Sequence, residues 1–197
     1  MASDLDLDTI VGCFIEVAQR NVGGSLALVG PTGEKEPAVI VSRPDAPKPS
    51  YPYITLDVLS ITETSGNKLR EGLDEHDNYF LENHYKITLR YIVFGGNAIQ
   101  IASELEQSFD LPNVIRNVSL NTGGEIEDTS EVVSLPKALS TEMVDVARFD
   151  VTYNVCVRNT DTSASNGYFN TINIEGEALT SENDNNPLKF NVSETSN

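Results

Sequence analysis

The chain has 197 residues, 39% of them hydrophobic, with 13 Lys and Arg against 30 Asp and Glu, for a formal net charge of −17. That length supports one hydrophobic core and favours one domain, while the acidic balance opposes any grip on nucleic acid through its phosphates, which Lys and Arg would have to neutralise. The two cysteines, Cys13 and Cys156, form no CxxC pair, which excludes a disulfide scaffold and a tetrathiolate zinc centre.

The first residues, Met1 to Asp6, carry neither a basic region nor an apolar run, so no secretion signal is expected and synthesis is expected in the cytoplasm. No stretch approaches the ~18 consecutive apolar residues of a membrane span, and no membrane contact is expected. Leu7, Ile10, Phe14, Val17 and Ala18 recur at spacings of three and four, which predicts an amphipathic helix ended by Gly23-Gly24. Cys13 falls on its apolar stripe as a small core residue. Ala38 to Val41 reads as a first strand. Arg43 to Pro52 holds four prolines in ten residues; this is a stiff extended connector, read as a crossover within one domain because too little precedes it to make a core.

Tyr53 to Val58 alternates as a second strand, and Glu63 to Asn78 reads as a polar, mobile excursion. From Tyr85 to Val93 every odd position is apolar, which predicts a long strand with one dry face, ended by Gly95-Gly96. Asn97 then caps a helix, with Gln100 placed to reach back as in a capping box. The apolar stripe of that helix is Ala98, Ile101, Ala102 and Leu105, continued by Phe109. Val114 to Leu120 and Glu125 to Thr129 are weaker strand candidates, and Leu135-Pro136-Lys137 reads as a loop. The parity seen from Tyr85 returns over Ala147 to Val157, a strand of roughly 35 Å at ~3.3 Å per residue. Ala147, Phe149, Val151, Tyr153 and Val155 are assigned to the core, and Cys156 to the polar side. Asn159 to Gly167 reads as the broad tip of a hairpin that returns through Tyr168 to Ile174. From Thr180 the chain is mostly Ser, Asn, Glu and Thr, a frayed tail or a segment that adds a strand to a neighbour.

The expected fold class is therefore α/β (α+β), a mostly antiparallel or mixed β-sheet with two helices packed on one face and a long terminal β-hairpin. Residues 1–179 are expected to form a single domain and 180–197 a polar tail.

No catalytic motif accompanies this pattern. His76 and His84 are isolated, with no HExxH, and read as surface residues rather than ligands. No GxSxG elbow is present. Asp4 to Asp8 fails as a calcium loop, because Thr9 and Ile15 stand where Gly and Glu are required. Gly30 to Lys35 lacks the Gly-Lys-Ser/Thr ending of a phosphate loop. Asp74, Glu75 and Asp77 read as a solvated acidic loop. No catalytic residue, cofactor or metal is assigned.

Four segments in order carry a resemblance: the proline connector running into Tyr51-Pro52-Tyr53-Ile54-Thr55-Leu56-Asp57-Val58, the strand Tyr85 to Phe94, the helix Ala98 to Leu105, and Ala147-Arg148-Phe149-Asp150-Val151. Together, across roughly residues 40–157, they resemble the phage neck terminator or tail-terminator-like family of tailed bacteriophages. The resemblance implies a tail-terminator-like α/β fold and a non-enzymatic virion protein of the head–tail neck. It also implies a homo-oligomer, most often a hexameric ring, that caps the tail tube and joins it to the head connector. The implied partners are head connector or adaptor proteins and tail tube or sheath proteins, with DNA passing through the channel without sequence-specific binding. Two other readings are a tail-tube or head-completion protein of the same virion and, third, a small enzyme or carbohydrate-binding module. In a ring, alternating charge on one strand can meet opposite charge on the next subunit. Arg148, Asp150, Arg158, Asn159 and Asp161 are accordingly the expected subunit or partner contacts.

Overall fold

The computed structural model describes residues 5–31, 35–42, 48–64, 70–73, 79–135, 137–139, 142–161, 171–178 and 188–195. In chain order the elements are helix α1 (Leu7–Val22) with a 3₁₀ turn at Gly23–Ser25, strands β1 (Leu28–Val29), β2 (Glu36–Pro37), β3 (Val39–Val41), β4 (Tyr53–Glu63), β5 (Arg70–Leu73) and β6 (Tyr79–Phe94), then helices α2 (Ala98–Ser108) and α3 (Pro112–Thr122). Strands β7 (Gly124–Thr129), β8 (Val133–Ser134), β9 (Lys137–Leu139), β10 (Glu142–Val144), β11 (Val146–Asp161), β12 (Thr171–Ala178) and β13 (Leu188–Thr195) follow.

Seven strands build the main sheet in the order β3-β4-β6-β11-β7, with β5 also on β6 and β8 also on β11. Only β3 and β4 run parallel, so the sheet is mixed but mostly antiparallel. The proline connector joins these two neighbours, as expected of a crossover within one sheet. Its spine is β6 on β11, sixteen residue pairs in one unbroken register from Val146 opposite Phe94 to Asp161 opposite Tyr79. Because side chains alternate across a strand, an unbroken register keeps odd positions of both strands on one face throughout.

That odd face is the core. Ile87, Leu89, Tyr91 and Val93 of β6 and Ala147, Phe149, Val151 and Tyr153 of β11 are each at most 1% exposed. They meet Phe14 and Val17 of α1, Leu105 of α2, Phe109 just after it, and Val114 and Val118 of α3. Tyr91 stacks on Phe149 with ring centres 5.1 Å apart, and Phe14 meets Tyr153 edge-on at 5.4 Å. Both buried tyrosines keep their hydroxyls bonded: Tyr91 donates to the carbonyl of Phe14 at 2.9 Å and Tyr153 to Thr122 Oγ1 at 2.6 Å. An unbonded hydroxyl there would cost about 1–3 kcal/mol. Burial pushes the Tyr91 phenol well above its ordinary value. Asp6 caps α1 by accepting from the Thr9 amide at 3.0 Å, which also holds its carboxyl below the ordinary range.

Several expectations are corrected. Three helices, not two, build the helical layer, because Val114 to Leu120 belongs to α3 rather than to a strand. Pro112 opens that helix, Gly123 closes it in the left-handed conformation (φ 69°), and Val114 and Val118 bury one face at a spacing of four; the β-branched content had obscured that periodicity. Asn97 sits at the N-cap of α2 without a side-chain bond, and Gln100 instead donates to Glu104. The excursion at Glu63 to Asn78 contains β5, and β6 begins six residues before Tyr85. The strand expected over Ala147 to Val157 runs on to Asp161, so Asn159 is ladder rather than tip. Of the expected return strand, Tyr168 to Asn170 lie outside the described residues and Thr171 to Ile174 do not pair with β11. Thr171–Ala178 pairs instead with Leu188–Thr195 as a separate two-stranded sheet, so the tail, read as frayed or as adding a strand to a neighbour, holds a strand paired within its own chain. His76 and the acidic group at 74, 75 and 77 lie outside the described residues.

Candidate functional site

The even-numbered face of the β6–β11 spine carries most of the expected contact residues, and its cross-strand pairs follow from the register. Asp57 of β4 and Asp150 of β11 both stand opposite Arg90 of β6. Arg90 holds Asp150 through two bonds, Nε to Oδ1 at 2.7 Å and Nη2 to Oδ2 at 2.8 Å, with both side chains about a quarter exposed. The hydrogen bond to Asp150, reinforced by the charges of Asp150 and Asp57, raises the guanidinium above its ordinary value. Asp150 is also fixed through its backbone, which donates to Ser130 Oγ at 2.8 Å. The expected contact residue Asp150 is thus already matched within its own chain. Arg148, between Ile92 and Val133, makes no ion pair among the described residues.

Farther along, Arg158 stands opposite Glu82, with Nε 2.8 Å from Oε1 and Nη2 bonded to the same oxygen. Its guanidinium also lies over the Phe80 ring, 4.3 Å from the ring centre. Glu82 is 7% exposed and Arg158 about half exposed, so the pair shields one carboxylate while presenting a cation. Asn159 stands opposite Leu81 on the odd face. The amide oxygens of Asn159 and Asn83 are buried without a hydrogen-bond partner among the described residues. Asp161 closes the ladder opposite Tyr79.

Between these two clusters, Cys156 stands directly opposite His84, with Sγ 3.9 Å from Nε2. Glu82 lies two residues from His84 on the same strand, and one ligand atom from each of Glu82, His84 and Cys156 lies within 4.8 Å of the others. His84 and Cys156 are exposed, as the sequence parity predicted for Cys156. They open on a groove of about 800 Å³ that Lys86, Gly124, Glu127 and Thr64 also line. There Lys86 Nζ lies 2.8 Å from a Glu127 oxygen, and this hydrogen bond holds the Glu127 carboxyl below its ordinary value. Cys13, in contrast, is buried, and desolvation pushes its thiol up.

Sequence reading missed Arg90 as the mate of Asp150, Glu82 as the mate of Arg158, and the approach of His84 to Cys156. Their separations in sequence are 60, 76 and 72 residues. The available signal was the pair of matched alternations; a single known pair between them fixes all the others, because the register never slips.

The order of the fold, with α1 leading into the mixed sheet and α2–α3 inserted between its two long central strands, covers the span that a family model recognises. The model described as phage neck terminator protein matches residues 6–182. The chain belongs to the phage neck terminator protein family. It is a structural protein of the virion, placed by its family at the head–tail junction. No curated protein matches the chain. Among the described residues no helix is long and apolar enough to cross a membrane.

Proposed function

We propose that the chain acts as a closed homo-oligomeric ring, six copies in the simplest case, that caps the tail tube, joins it to the head connector and lets DNA pass. Residues 1–179 would supply the ring-forming domain and 180–197 its polar tail. The observation that carries the reading is the match of the neck terminator family over residues 6–182, and the far part of β11 offers a candidate contact surface. β7 and β8 pair with β11 only as far as Val155, so from Cys156 to Asp161 its outer edge bears no strand among the described residues. A strand edge invites pairing with another strand, from this chain or from a neighbour. Arg148, toward the other end of β11, is a cation available to an acidic neighbour.

The charge fits DNA passage. Six chains of −17 would carry about −102, and acidic groups facing a channel would repel DNA rather than hold it. Electron microscopy of the intact particle tests the position, and native mass measurement of the isolated ring tests the count. A location in the tail tube or inside the head would replace the neck reading with the tail-tube or head-completion alternative. Arg148→Glu is the sharper contact test, because reversing Asp150 would also break its bond to Arg90. Impaired assembly of a folded Arg148→Glu monomer is expected; unimpaired assembly rejects that contact.

A further inference from the structure

We propose that Glu82, His84 and Cys156 form a zinc site at the point where the β6–β11 spine leaves the helical layer. Thiolate, imidazole and carboxylate together are the donor types that zinc takes, and three protein ligands leave its fourth tetrahedral position open. Donor atoms around a tetrahedral zinc stand roughly 3.5 Å apart, given bond lengths of about 2.0–2.3 Å. Here Sγ and Nε2 are 3.9 Å apart and all three donor atoms lie within 4.8 Å. A contraction of about 1 Å closes the set, and two of its side chains are exposed.

The strand register does the positioning. Cys156 and His84 are a directly opposed pair, and Glu82 is the next residue of β6 on the same face. Such pairs have β-carbons only about 4.5–5.5 Å apart, so the backbone need not move. Arg158 holds Glu82 through Oε1. An outer partner on a carboxylate orients it as a metal ligand. Lys86, the nearest cation along the strand, is matched by Glu127 at 2.8 Å. The open position faces the groove, where water or a side chain of an adjoining virion protein would complete the shell. Binding converts the Cys156 thiol to a thiolate and releases its proton to solvent.

The site goes beyond the ring reading and stands without it. Its test is titration of the reduced, metal-free protein with Zn²⁺ by calorimetry, and with Co²⁺ by absorption, which reports thiolate ligation as a near-ultraviolet charge-transfer band. One equivalent should bind, with that band present for cobalt. Cys156→Ser should abolish the band, and both Cys156→Ser and His84→Gln should weaken zinc binding by more than ~10-fold. The absence of stoichiometric binding overturns the site. Equal affinity in Cys156→Ser also overturns it, since the metal would then sit on the acidic surface. Should Cys156→Ser not fold, the cobalt band of the parent and its loss in His84→Gln decide the matter.

Discussion

The two halves of the β6–β11 spine share one register and one alternation, yet different forces hold them. In the near half, residues 85–94 and 146–155, β4, β7 and β8 flank the spine and three helices cover its odd face, so the ladder is held by burial of large apolar side chains. In the far half, residues 79–84 and 156–161, β5 is the one strand flanking β6 among the described residues, through Arg70 to Leu73, and the bonds that stand out are polar: Arg158 to Glu82, Arg158 over Phe80, and Tyr79 to Glu71 at 2.5 Å. Alternation alone therefore does not make a core. It makes two faces, and whichever layer is laid on them decides whether apolar burial or cross-strand polar pairing supplies the stability. The far half is also the part that brings Glu82, His84 and Cys156 together.

The largest expected effect breaks the near half. Phe149→Ala removes a ring that is 1% exposed and in contact with Tyr91 and Phe109, and truncations of this kind cost about 3–5 kcal/mol. Chemical denaturation should show the whole domain losing stability together. A loss under about 1 kcal/mol would mean that this half is not the cooperative core.

Arg158→Ala should sharpen the comparison, since it removes the guanidinium bonds to the nearly buried Glu82 while leaving the helical layer untouched. The expected cost is about 1–2 kcal/mol, reduced from that of a fully buried pair because Arg158 is about half exposed. Hydrogen exchange should accelerate at 79–84 and 156–161 and stay slow at 87–93. Uniform acceleration along both strands would show that the halves unfold as one.

Gly123→Ala acts on the near half through its helical cover. The left-handed φ of 69° at the end of α3 costs a side-chain-bearing residue about 1 kcal/mol, although open space surrounds the position. A thermal melt should fall by a few degrees, and an unchanged melt would show that α3 ends differently in solution.

The smallest effect lies where the halves meet, at Lys86 and Glu127. The folded state lowers the Glu127 carboxyl below its ordinary 4.5. The stabilisation is therefore present above that value and is lost as pH falls through the lowered one. Lys86→Met should remove that acid-side dependence, with melts recorded between about pH 6 and about pH 3 as the measurement. Both side chains are exposed, so added salt should shrink the difference.

The sequence by itself determined which residues face the core along β6 and β11, the helices α1 and α2, the crossover through the prolines and the acidic surface. These rest on period, parity and backbone-restricting residues, all local properties. It misread α3, because valine and isoleucine favour strands in isolation while the packing of Val114 and Val118 imposes a helix. It also sent residues 171–174 to the wrong partner, because alternation marks a strand but never names its neighbour. Only the tertiary structure matched Arg90 to Asp150 and Arg158 to Glu82, and brought Cys156 to His84. Those contacts join residues 60 to 76 positions apart, and the register that creates them is set by the fit of the whole dry face onto the helices rather than by any residue in the pairs.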